Sequence, residues 1–222
     1  MRITLPSGTP AEIARPASGH TTGPTTHGLV IAPDIFGLRP LYDDMVQRLA
    51  DEWLMVVCAV EPFPGRDLPA DIEPRFALVP QIDDATHLRD LLEGADATNC
   101  NTVNLLGYCL GGMYCHKASR SDRFERIVSF YGMIRLPEAW RSPTQGAPLD
   151  YLATGNADRV LAIVGGRDHY TPAEDVEALE DAGVTVVRYP DAEHGFAHDV
   201  SRPAHRSDDA ADAYVRAYAW LR

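Results

Sequence analysis

Apolar positions along this chain switch repeatedly between two periods. Gly28-Leu29-Val30-Ile31-Ala32 is apolar on both faces, as a strand buried between helix layers is. Leu41, Met45, Leu49 and Trp53 follow at the spacing of a helix, and Leu54 to Val60 is again a continuous apolar run. That run ends in the breakers Glu61-Pro62-Phe63-Pro64-Gly65. Ile82, Ala85, Leu88, Leu92 and Ala95 predict the next helix, Thr102–Leu106 a strand, and Leu110–Ser119 a helix. Arg126–Tyr131, Val160–Val164 and Val184–Tyr189 predict three more strands, with a helix over Glu174–Ala182 between the last two. Ser207–Leu221 closes the chain as a helix, with Ser207 as its N-cap and Asp208 and Asp209 well placed in its first turn. At the other end, Arg2–Leu5 and Ala11–Ala14 flank Pro6-Ser7-Gly8-Thr9-Pro10, the pattern of a hairpin at a sheet edge. Gly19 to Thr26 reads as a Gly/Thr/Pro loop. Residues 62–80 hold five prolines and no clear period, which predicts a long loop or lid.

Strands alternating with helices, without internal repeats, predict an α/β fold: one domain over 1–222, its mostly parallel sheet covered by helices on both faces. The 222 residues suffice for one continuous core. In such sheets ligands bind beyond the carboxyl ends of the strands, so the residues just after each strand hold the candidate chemistry.

Charge and cysteines narrow the function. With 20 basic against 32 acidic residues the net charge is −12, which argues against nucleic-acid and anionic-membrane binding. Lys117 is the sole lysine, a bias given no functional weight. Cys58, Cys100, Cys109 and Cys115 lack zinc-type spacing and are too sparse for a disulfide scaffold. No secretory signal and no membrane-length apolar run is visible. The expectation is a reduced, cytoplasmic enzyme, a monomer or small homo-oligomer.

The strongest local motif is Gly107-Tyr108-Cys109-Leu110-Gly111-Gly112, directly after a predicted strand. Small residues two before and two after Cys109 allow a sharp strand-to-helix turn that pushes its thiol into the open. There the helix N-terminus favours a thiolate. A buried, inert cysteine in a Gly-rich turn is the alternative. Asp168 lies just past strand Val160–Val164, and His194 just past Val184–Tyr189. Nucleophile, acid and base thus occur in the order Cys, Asp, His, which suits an imidazole that takes the thiol proton and a carboxylate that fixes the imidazole's tautomer. Glu193 is expected to be a surface charge, Cys58 and Cys115 core filler, and Cys100 a loop thiol. His198 and His205 suggest a metal site with His194, but no His-Glu-x-x-His pattern exists and no metal is expected.

Gly107–Gly112, Gly165–Pro172, Glu193-His194-Gly195-Phe196, Ala32-Pro33-Asp34-Ile35-Phe36-Gly37 and Phe130-Tyr131-Gly132 together resemble the dienelactone hydrolase family of α/β-hydrolases. The resemblance spans most of the chain in consistent order. It implies an α/β-hydrolase fold and a Cys109 nucleophile, a His194 base and an Asp168 acid, with an oxyanion hole from the N–H groups of Leu110 and Ile35. It implies cleavage of a small ester or lactone through an acyl-enzyme, with no cofactor. Family members carry glutamate at the position of Asp34, in contact with the resting thiol, and an arginine at the position of His198 that holds the substrate carboxylate. Arg66 and Arg75 are the candidates for a second such arginine. From its loop facing the elbow, Asp34 is expected to disfavour the thiolate until substrate arrives; the alternative is a side chain pointing to solvent. A thioesterase or peptidase of the same fold, and a non-catalytic relative that binds a ligand or senses oxidants through the thiol, remain open.

Overall fold

A computed structural model describes residues 1–17 and 26–222, so the loop expected at Gly19 to Thr26 lies, save for Thr26, outside the described residues. The chain opens with β1 (Arg2–Thr4), β2 (Pro10–Ala14) and β3 (His27–Ala32), followed by α1 (Pro40–Trp53) and β4 (Val56–Val60). Next come the short α2 (Glu73–Phe76), α3 (Asp84–Ala97), β5 (Thr102–Tyr108), α4 (Leu110–Lys117) and β6 (Ile127–Phe130). The last third holds α5 (Pro148–Leu152), β7 (Val160–Gly165), α6 (Ala173–Asp181), β8 (Thr185–Tyr189) and α7 (Ser207–Trp220).

The strands form one eight-stranded sheet in the order β1-β2-β4-β3-β5-β6-β7-β8. β1 and β2 make the expected antiparallel hairpin, and β2 pairs antiparallel with β4. From β4 onward all neighbours are parallel. Alternate residues of each central strand point to opposite cores. Val30, Ala32, Cys58, Val103 and Leu105 pack with α3, α4 and α6, whereas Leu29, Ile31, Ala59, Leu106 and Tyr108 pack with α1 and α7. Burial on both faces explains why these strands read as unbroken apolar runs.

The parallel register brings Ala32, Tyr108, Phe130, Gly165 and Tyr189, the last residues of five strands, to one edge. After β3 the chain turns through α1 to β4 on one side, whereas β5 lies on the other. The winding order of the strands therefore reverses between the parallel β3 and β5, and the residues just after these two strands line one cavity.

Several boundaries differ from the sequence pattern, each for a local reason. β4 starts at Val56 because Leu54 caps α1 in the left-handed region, with φ 55°. Residues 62–80 are not a plain loop; they carry α2 and a 3₁₀ turn at Val79–Gln81. Ser207 is the first residue of α7 and not its cap: the extended Arg206 holds that position without a side-chain cap bond. The Arg206 guanidinium instead pairs with Asp209 in the first turn.

Candidate active site

Cys109 sits where β5 turns into α4, with φ 53° and ψ −111°, a strained backbone for a residue with a Cβ. The turn survives because its neighbours are small. A Cβ on Gly111 would stand 1.9 Å from the Ala32 carbonyl oxygen, and one on Gly107 would stand 2.4 Å from the Gly111 oxygen. The backbone is further pinned by Cys109 N–H to Phe130 O at 3.0 Å and Met113 N–H to Cys109 O at 2.9 Å. The thiol is half-buried, whereas the other three cysteines are buried, Cys100 among them.

A narrow cavity of about 60 Å³ runs along this turn. Cys109 and His194 both line it, with Ile35, Phe36, Ile72, Phe76, Met133 and Trp140 as apolar walls and Arg202 and Asp34 as charged ones. His194 shares its Nδ1 with Asp168 Oδ2 at 2.8 Å, while Asp168 Oδ1 accepts the Tyr170 N–H at 2.8 Å. Both ionised oxygens of a buried carboxylate are thus used, which fixes the imidazole ring. Tyr131 and Tyr170 pack edge-on against that ring, with centroids 5.2 and 4.8 Å away. His194 Nε2 is buried with no nitrogen or oxygen partner among the described residues, which leaves that nitrogen to the Cys109 sulfur. Burial alone would lower the imidazole pKa, but the Cys109 sulfur and the Asp168 carboxylate outweigh it and raise it above the ordinary histidine range. Glu193 is exposed, as expected.

The backbone after β3 completes the cavity. In the segment from Asp34 to Leu38 the N–H of Asp34 donates to Tyr42, that of Phe36 to Asp34 Oδ1, that of Gly37 to the Asp34 carbonyl and that of Leu38 to Glu61. Ile35 N–H has no acceptor among the described residues. Leu110 N–H, as the first of α4, has no intrahelical acceptor either. An unpaired N–H on each side of the crevice is what a developing oxyanion needs.

Asp34 neither points to solvent nor stands free for the thiol. It is 1 % exposed, and the Arg39 fork donates to both its oxygens at 2.7 and 2.9 Å. His198 Nε2 donates to Oδ2 at 2.7 Å. Burial would raise this carboxyl's pKa, yet His198 and then Arg39 hold it well below the usual carboxylate range. His198 Nδ1 shares a 2.5 Å hydrogen bond with the Tyr131 hydroxyl, so both ring nitrogens are occupied and the residue lies behind the cavity wall. Among the described residues no group of three His, Cys, Asp or Glu could hold a metal ion.

Arg66 is exposed and reaches only Gln81 at 3.4 Å, while Arg75 turns to backbone carbonyls. Arg202, unremarked in the sequence, is the cation that lines the cavity. It packs on Gly195, eight residues past His194 on a loop without period, so its position along the chain gave no signal.

A mostly parallel sheet, a strained cysteine-bearing strand-to-helix elbow and an acid and a histidine past later strand ends define an α/β-hydrolase. The profile of the dienelactone hydrolase family matches residues 14–222, and the chain belongs to that family. It is accordingly a hydrolase of ester or lactone bonds. The chain is 26% identical to carboxymethylenebutenolidase 2 of Cupriavidus pinatubonensis, with 84% of this chain and 79% of that one covered. It is 27% identical to a carboxymethylenebutenolidase of Rhodococcus opacus, over 89% and 82%. A solved structure from Klebsiella pneumoniae, designated a candidate dienelactone hydrolase, superposes with a TM-score of 0.89 at 26% identity, covering 100% of this chain and 97% of that one.

Proposed function

We propose that this protein cleaves a small ester or lactone through a thioester acyl-enzyme, with Cys109 as nucleophile, His194 as base and Asp168 as its orienting acid. One observation carries the reading: a half-buried thiol, a carboxylate-bound imidazole and the unpaired N–H of Ile35 meet around one cavity. The Cys109 sulfur attacks the carbonyl carbon, and the oxygen that gains the electron pair is met by the N–H groups of Ile35 and Leu110. When the C–O bond breaks, the imidazolium gives its proton to the departing alkoxide. In a lactone that alkoxide stays tethered to the acyl group. Water, deprotonated by His194, then attacks the thioester, releasing the acid and regenerating the thiolate.

The apolar walls suit a compact acyl group, and Arg202 at the cavity lining suits an anionic group on the substrate. Asp34, at the cavity wall, and His198 behind it support the oxyanion loop. The unbridged thiols of Cys58, Cys109 and Cys115 suit a reduced compartment such as the cytoplasm, and no described helix is long and apolar enough to cross a membrane.

A panel of chromogenic esters, thioesters and lactones, with and without a carboxylate, tests the reading. Turnover of oxygen esters or lactones, lost in Cys109→Ala, is expected. Turnover restricted to thioesters or peptides would move the protein to another reaction of this fold. Full activity in Cys109→Ala would remove the nucleophile, and no turnover at all would favour a binding or sensing role.

A further inference from the structure

A buried guanidinium ordinarily faces a carboxylate, because an unpaired charge is costly away from water. Arg75, in α2, is buried but makes no salt bridge among the described residues. Its donors go to four backbone carbonyls: Nε to Pro69 O at 3.0 Å, Nη2 to Leu68 O at 3.3 Å, and Nη1 to Ile35 O at 3.2 Å and Phe36 O at 3.0 Å. Its plane also lies 5.4 Å from the Phe36 ring centre. One side chain therefore clasps two segments distant in sequence, residues 35–36 in the turn after β3 and residues 68–69 in the lead-in to α2.

The peptide between Ile35 and Phe36 is held at both ends. Its carbonyl accepts from Arg75, and its N–H donates to Asp34 Oδ1 at 3.0 Å. With that plane fixed, the torsions of Ile35 have little freedom, and the preceding N–H is held at one orientation. That N–H is the one left without an acceptor. Ile72 and Phe76, on either side of Arg75, line the same cavity. Turning the wall would thus strain the clasp on the β3 turn.

We infer that Arg75 is a positioning residue: it orients the Ile35 N–H toward the developing oxyanion and ties the α2 wall of the cavity to that N–H, so that both respond to substrate as one body. This rests on the proposed role of the Ile35 N–H. Lysine keeps the charge but can reach only some of the four carbonyls, since it lacks the planar fork.

The test compares wild type, Arg75→Lys and Arg75→Gln, each as the folded fraction from gel filtration, with active sites counted by Cys109 alkylation. In Arg75→Lys, kcat per titrated thiol is expected to fall about tenfold or more, with KM within about threefold for neutral and anionic esters alike. The alkylation rate should stay within about twofold, since the thiol and His194 are untouched. Hydrogen exchange should quicken together at residues 34–38 and 68–76 while the sheet strands stay protected. An unchanged kcat per thiol overturns the role. So does a loss confined to the KM of anionic esters, which would put the guanidinium on the substrate. Unchanged exchange at 34–38 also rejects the clasp by itself, whereas absent wild-type turnover rejects the hydrolase reading instead.

Discussion

Burial sets what Cys58, Cys109 and Cys115 can each do. Burial pushes the Cys58 thiol up to about 12 and Cys115 well above the ordinary thiol range, so neither supplies thiolate near neutrality. Cys109 stands at the cavity beside His194. Iodoacetamide is therefore expected to modify Cys109 first, in step with loss of activity; peptide mapping that finds Cys58 or Cys115 labelled first would reverse the assignment. His194 and His198, both after β8, separate in the same way. His194→Ala removes the proposed base and is expected to lower kcat by about 10²- to 10⁴-fold. His198→Ala takes one hydrogen bond from the buried Asp34 but leaves the Arg39 fork. Its main effect is expected on stability, a loss of about 1–3 kcal/mol in urea denaturation, with any kcat change reaching the site through the Asp34 turn. Equal kcat losses with unaltered stability in both would mean the base is misassigned.

Helices around the sheet are joined by a polar cluster that no hydrophobic period announces. Asp84, the first residue of α3, accepts from Lys117 Nζ of α4 at 2.8 and 3.0 Å, and from Tyr114 and Tyr151 hydroxyls at 2.9 and 3.0 Å. The Gly146 N–H adds a fifth bond at 2.8 Å. The chain's sole lysine is thus fully buried, and one carboxylate binds α3, α4 and α5 together. Asp84→Ala leaves that ammonium unpaired and is expected to cost about 3–5 kcal/mol. Replacing both Asp84 and Lys117 with apolar residues of similar volume should recover much of the loss. If the double variant is no better than the single, the charge itself is not what the cluster neutralises.

Across the whole molecule the buried titratable groups predict an acid-sensitive fold. Burial holds His87 and His116 down to about 4, so between the ordinary imidazole range and pH 4 the unfolded chain binds protons that the native state refuses. Stability therefore falls as pH drops from about 6.5. Asp34 is depressed below the usual carboxylate range, and its contribution, present above that range, is lost as pH falls further, below about 4. His194 is raised, so its contribution is full in acid and fades only as pH climbs above the ordinary imidazole range. Urea denaturation from pH 7 to 3 should show a two-stage loss, and Asp34→Asn should flatten the lower stage while leaving the upper one. A single carboxylate-range transition would assign the acid sensitivity to other groups.

The alternation of apolar runs and helical spacings, Leu29 to Ile31 against Leu41 to Trp53, was enough to dictate strand order along the chain and a sheet buried on both faces, because burial imposes its period directly on composition. The Gly107–Gly111 spacing likewise announced the elbow, since only glycine tolerates a backbone 1.9 Å from a would-be Cβ. Asp168 and His194 were legible because parallel strands must deliver their ends to one edge. Partners in space were not. Nothing near Asp34 along the chain says that His198, 164 residues on, occupies it, or that Arg75 would choose carbonyls over a carboxylate. Nor does local pattern show that Arg202, not His198, faces the cavity. A side chain's period tells which face it leaves by; what it meets there depends on how separate loops pack, and that only the folded chain decides.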